Sequence, residues 1–119
     1  MSKTKSEVKK IRKKISYSLK HERESKYELS FTKEDASLIA RALKIDFAKE
    51  KFDLDEFTVG VNIELEHGTK YSECNVTKND PILTGKIALA HLKEFPDYYT
   101  RLKQLEEEAF NYWSEKGLN

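Results

Sequence analysis

Read for the spacing of its apolar residues, the chain is a succession of short helical patterns separated by caps and turns. Val8, Ile11, Ile15 and Leu19 recur at three- and four-residue intervals, which places them on one face of a helix. Lys9, Lys10, Arg12, Lys13 and Lys14 surround them, so a basic amphipathic helix is predicted within residues 1–29. A second pattern, Ala36, Ile39, Ala40 and Leu43, runs to about Lys44. Thr32 precedes it as an N-cap, with Asp35 at the capping-box position as a shorter substitute for Glu. Residues 45–53 read as a connection with Phe47 and Phe52 turned inward, and Asp53 as the cap of the next helix.

From Leu54 onward, Leu54, Phe57, Val61 and Leu65 form one stripe at about 100° per residue. Glu64 falls beside that stripe, His67 one step further round, and Glu66 away from it. Gly60 lowers helix stability by roughly 1 kcal/mol relative to Ala, so its presence predicts that something approaches the backbone closely there. Gly68 is placed to end the helix at C′. Residues 69–80 are polar and without period, which predicts a long loop. Asp80-Pro81 opens another helix, with Asp80 as cap and Pro81 at the first position. Its stripe, Leu83, Ile87 and Ala90, runs on into Glu94 with His91 at the edge. Phe95-Pro96-Asp97 breaks it. Tyr98, Leu102, Leu105, Ala109, Tyr112 and Trp113 then make a continuous core face for the last helix, with Glu106, Glu107 and Glu108 toward solvent and Gly117 at its end. Thr58 to Glu64 is the longest run with strand-like alternation, but Gly60 and the flanking caps argue for helix. The expectation is an all-α single domain of four or five short helices over residues 30–119, preceded by a basic helical arm over 1–29.

Composition adds an asymmetry. The net charge of +1 conceals about +7 in residues 1–26 and about −6 in the remainder, so one part attracts anions and the other cations. Residues 3–26 of the arm therefore read either as a grip on nucleic acid or an acidic protein surface, or the arm as a first helix docked on the acidic remainder. With 38% hydrophobic and 11% aromatic residues, the chain has the means to build a core. The single Cys74 excludes an internal disulfide framework and paired zinc-finger cysteines, and in the polar loop it reads as a passenger. No apolar run is long enough for a signal peptide or a membrane span. A cytoplasmic protein is expected, with Asn75-Val76-Thr77 a glycosylation sequon on paper only.

Chemistry concentrates in two pairs, Glu64 with His67 and His91 with Glu94, each one helical turn apart. Helical Glu-x-x-His pairs projecting into a bundle are a common way to hold transition metals. Two His and two Glu fit one zinc, iron or manganese ion better than two, with Glu66, Asp97 or Tyr98 as a further ligand or as a group orienting one. The structural alternative stands beside it. His67 is favoured at a helix C-terminus, His91 and Glu94 form an ordinary helical pair, and the two helices exchange His–Glu hydrogen bonds. Tyr98, Tyr99 and Trp113 line a pocket or, at their helical spacing, pack the core. No Gly-rich phosphate loop or nucleophile elbow is present.

Through Glu64–Gly68 (ELEHG), Asn75–Pro81 (NVTKNDP), Thr84–Ala88 (TGKIA) and Ala90–Tyr99 (AHLKEFPDYY), the chain resembles a family of small bacterial and phage proteins catalogued as a domain of unknown function. The resemblance covers about residues 30–110 and leaves out the basic arm. Its recurring motifs fall on Glu64, Glu66, His67, His91, Leu92, Glu94, Pro96, Tyr98 and Tyr99. That implies a shared site without implying an activity. Two functions follow as expectations: a metal- or polar-ligand-binding helical module, or a non-enzymatic accessory protein acting through its basic arm, including in host interaction or counter-defence.

Overall fold

The structure, a computed structural model, describes residues 8–15 and 30–117, all of the regular structure among them helical. We label the helices α1 (residues 8–15), α2 (Lys33–Ala42), α3 (Leu54–Lys70), α4 (Pro81–Glu94) and α5 (Tyr98–Glu115), with a 3-10 turn at Ser72–Cys74. The all-α expectation holds for these residues. Leu19, the last apolar position expected in the basic helix, lies outside the described residues.

Caps fix where the helices begin. Thr32 Oγ1 accepts from the Asp35 amide at 3.0 Å while Asp35 accepts from the Thr32 amide at 3.0 Å, closing the reciprocal box at the start of α2. Asp53 and Glu56 do the same for α3 at 2.9 and 3.0 Å. Asp80 Oδ1 accepts from the amides of Ile82 and Leu83, and Pro81 occupies the first position of α4.

α3 and α4 form the central pair, α2 lies against both, and the first part of α5 packs on both from the other side. Phe57, Val61 and Leu65 of α3, Ile39 and Ala36 of α2, and Leu92 and Ala88 of α4 are buried together. Phe52 is buried and Phe47 half-buried, their rings edge-to-face at 6.0 Å, as the inward reading of that connection requires. Ile11 and Ile15 of α1 are 6% and 0% exposed within the same cluster. Arg12 Nε lies 2.7 Å from Asp80 Oδ2, an ion pair without hydrogen-bond alignment that ties α1 to the start of α4.

Three details depart from the sequence pattern. α4 buries Ile82, Thr84, Gly85, Ala88 and Leu92, whereas Leu83 and Ala90 are exposed. The middle of its inner face, Thr84, Gly85 and Ala88, is small, and α2 comes so close there that a Cβ on Gly85 would collide with Ile39 and stand 3.1 Å from Leu43. α3 continues past Gly68 to Lys70. Gly68 serves packing rather than termination, since a Cβ there would lie 2.8 Å from Asn75 Oδ1. Finally, the predicted core face of α5 is buried only at its start: Tyr98 and Leu102 are half-buried, while Leu105, Ala109, Tyr112 and Trp113 are exposed.

Candidate functional site: a Glu–Tyr–His cluster beside an open hollow

Glu64, in the fourth turn-length of α3 beyond its cap, turns toward α4 and α5 because the stripe it borders packs against them. Its side chain is 12% exposed. Oε2 accepts the Tyr99 hydroxyl hydrogen at 2.7 Å and lies 3.0 Å from His91 Nδ1. The same nitrogen is 3.1 Å from the Tyr99 oxygen. A carboxylate has no hydrogen to give, and the phenol hydrogen is committed to Glu64. Both contacts at Nδ1 are satisfied when that nitrogen carries a ring hydrogen. Tyr98 stacks on the His91 ring at 4.2 Å and 8°, which fixes its plane.

Gly60 explains how Tyr99 reaches this position. One turn before Glu64, a Cβ on Gly60 would lie 2.6 Å from Tyr99 Cε2, so only glycine admits the ring against the backbone of α3. The close approach expected at Gly60 is therefore the Tyr99 side chain. Burial first, and then the bond to Glu64, pushes the Tyr99 phenol well above the ordinary tyrosine range.

The four predicted ligands do not gather as one group. Glu64 and His91 meet. His67 instead sits 3.2 Å through Nε2 from Glu106 Oε2 on α5, and Glu94, the last residue of α4, is exposed. Glu66 is exposed as expected, and Asp97 accepts from Arg101 Nε at 3.0 Å. Among the described residues, no group of three or more His, Cys, Asp or Glu side chains is arranged to hold a metal ion. Glu64 and His67 nonetheless share one wall of an open hollow of about 290 Å³, closed by Ile87 of α4 and by Cys74, Asn75 and Thr77 of the following loop. Asn75 orders that loop. Its amide donates to Asn79 Oδ1 at 2.9 Å and its carbonyl oxygen accepts from the Lys78 amide at 2.9 Å, holding Lys78 and Asn79 at positive φ.

The profile of a family described as a protein of unknown function, DUF5661, matches residues 36–108. The chain belongs to this family. The DUF5661 region runs from α2 into the middle of α5 and contains Glu64, His91, Tyr99 and both sides of the hollow, while α1 lies outside it. No curated protein and no solved structure matches the chain.

Tyr99 packs the core, one of the two readings its spacing allows, but its pairing with Glu64 is not anticipated from the sequence. Gly60 one turn before Glu64 was the available signal. Asn62 was missed as well: its amide donates to the Phe31 carbonyl at 2.9 Å and its oxygen accepts from the Phe31 amide at 2.6 Å, pinning the segment before α2 to α3.

Proposed function

We propose that this domain is a binding module for a small ligand bearing a cationic group, an ammonium or a transition-metal ion, seated in the hollow against Glu64 and His67. What carries the reading is the placement of Glu64: its Oε2 is held by Tyr99 and His91 at 2.7 and 3.0 Å while its side chain lines the hollow. A carboxylate fixed by neighbours is oriented before the ligand arrives and so loses less freedom on binding. His67 on the same wall and the side chains of Asn75 and Thr77 across the hollow supply further nitrogen and oxygen atoms around the charge. The test is thermal shift of the purified protein against zinc, manganese, iron(II) and a panel of small amines, with elemental analysis of the protein as isolated. Stabilisation by one of them, lost in Glu64→Gln and reduced in His67→Ala, is expected. A metal-free protein stabilised by none of them overturns the reading.

A second reading has its own observation. Val8, Ile11 and Ile15 face inward and Arg12 is engaged by Asp80, whereas Lys9, Lys10, Lys13 and Lys14 are exposed. The outward side of α1 is thus a lysine face suited to nucleic acid or an acidic protein surface. Affinity for nucleic acid falling steeply with salt, and lost when the four lysines become glutamine, is the expected outcome. Substitution is the right probe because removing the arm would also remove Ile11 and Ile15 from the core.

A further inference from the structure

The outer half of α5 carries an apolar stripe that the described residues of one copy leave uncovered. Tyr98 and Leu102 pack on the body of the domain, and the same line continues through Leu105, Ala109 and Tyr112, with Trp113 beside it. The steps alternate between three and four residues, the repeat of a helix seam that faces another helix. Yet every residue from 103 to 117 is exposed: Leu105 by 59%, Phe110 by 64%, Tyr112 by 51% and Trp113 by 46%. A helical extension of this length is marginal in water by itself. Next to it, between α3 and α5, lies a hollow of about 480 Å³ with Ile63, Leu92 and Tyr99 at its base, exposed Val59 on its wall, and Lys103 and Glu106 at its rim.

We propose that α5 pairs in antiparallel fashion with α5 of a second copy of this chain, crossing near Ala109, so that Phe110 and Trp113 of each copy close the α3–α5 hollow of the other. Charge complementarity at both ends of the helix fits this occupant. Arg101, Glu108 and Glu115 recur at seven-residue intervals along one flank of the stripe. Antiparallel two-fold pairing turns that flank on itself, setting Arg101 of each copy against Glu115 of the partner subunit at both ends, with the two Glu108 side chains nearest the dyad. Antiparallel packing also opposes the two helix dipoles favourably. On the other flank, a crossing near residue 109 brings Phe110 and Trp113 over Glu106 and Lys103, the rim of the hollow. Ala109 at the crossing lets the backbones approach closely.

The test uses the full chain. Sedimentation equilibrium should show a monomer–dimer equilibrium, and the emission of Trp113, the single tryptophan, should shift to the blue along the same concentration curve. Leu105→Glu and Phe110→Glu replace exposed side chains, so the monomer keeps its core, and each should weaken association about tenfold or more. Glu115→Arg alone should weaken it several-fold, and adding Arg101→Glu should restore it. A chain monomeric at every accessible concentration overturns the proposal. So does a dimer indifferent to both apolar substitutions, and a double charge reversal that binds no better than Glu115→Arg alone overturns the antiparallel pairing.

Discussion

The Tyr99 hydroxyl gives its hydrogen to a carboxylate inside the fold, and that single bond makes two measurable statements about stability. Tyr99→Phe keeps the ring under Gly60 but leaves Glu64 without its shortest partner. A loss of about 1.5–3 kcal/mol in urea denaturation is expected, since hydrogen bonds to charged groups lie at the strong end of the range. The second statement concerns alkaline pH. Because the folded phenol is held above its ordinary value of 10.0, the unfolded chain releases this proton first as pH rises. Stability is then intact below pH 10 and falls above it, by up to about 1.4 kcal/mol per pH unit from this one group. The wild-type curve should fall away from that of Tyr99→Phe above pH 10; parallel curves would mean that the hydroxyl is not held as described. Gly60→Ala tests the same contact from the other side. Helix propensity alone favours Ala by roughly 1 kcal/mol, but the ring edge at 2.6 Å belongs to a side chain fixed by Glu64, His91 and Tyr98. A net loss of about 1–3 kcal/mol is expected. Gly60 was legible in the sequence because a mid-helix glycine demands a reason. Tyr99 was not, because adjacent helical positions differ by about 100°, and which of Tyr98 and Tyr99 points inward depends on where α5 crosses α3.

At the scale of elements, caps were the most legible feature and the buried faces of inner helices the least. Thr32, Asp53 and Asp80 each begin a helix because a side-chain oxygen one residue before it answers a free amide, a purely local interaction. α4 shows what locality misses. Helical spacing of apolar residues points to Leu83, Ile87 and Ala90, but a helix packed on more than one side also buries the small residues that permit close approach. The two readings rank substitutions in opposite order. Leu83→Ala, at a side chain 40% exposed, should cost no more than about 0.5 kcal/mol. Gly85→Ala should cost roughly 1–3 kcal/mol despite its gain in helix propensity, because Ile39, Leu43 and Phe57 already occupy the space. Thermal unfolding of the two variants side by side decides between the faces. The same element-scale limit explains α5: a stripe at helical spacing states that a face is apolar, not whether it meets its own fold or another copy.

For the molecule as a whole, the question is how a segment of +7 relates to a remainder of −6. The apolar stripe of α1 was legible in the sequence, but its docking site was not, because nothing in the spacing of Ile11 and Ile15 says which helices leave room for them. In the structure the two isoleucines join the common core and Arg12 meets Asp80, so attraction between the oppositely charged parts and burial of the stripe act together. The lysines that remain outward then project from a docked helix, so any polyanion they meet would find their backbone already ordered. Stability and binding should therefore separate within one short helix. Ile15→Ala, which opens a void at a fully buried position, is expected to lose about 2–4 kcal/mol in urea denaturation. Lys13→Gln, on the exposed side, should leave the midpoint within about 0.5 kcal/mol of wild type and act only on salt-dependent binding to nucleic acid. If Ile15→Ala unfolds at the same urea concentration as Lys13→Gln, α1 is an appendage whose charge acts without the core. If the two separate as expected, the basic face is part of the folded body.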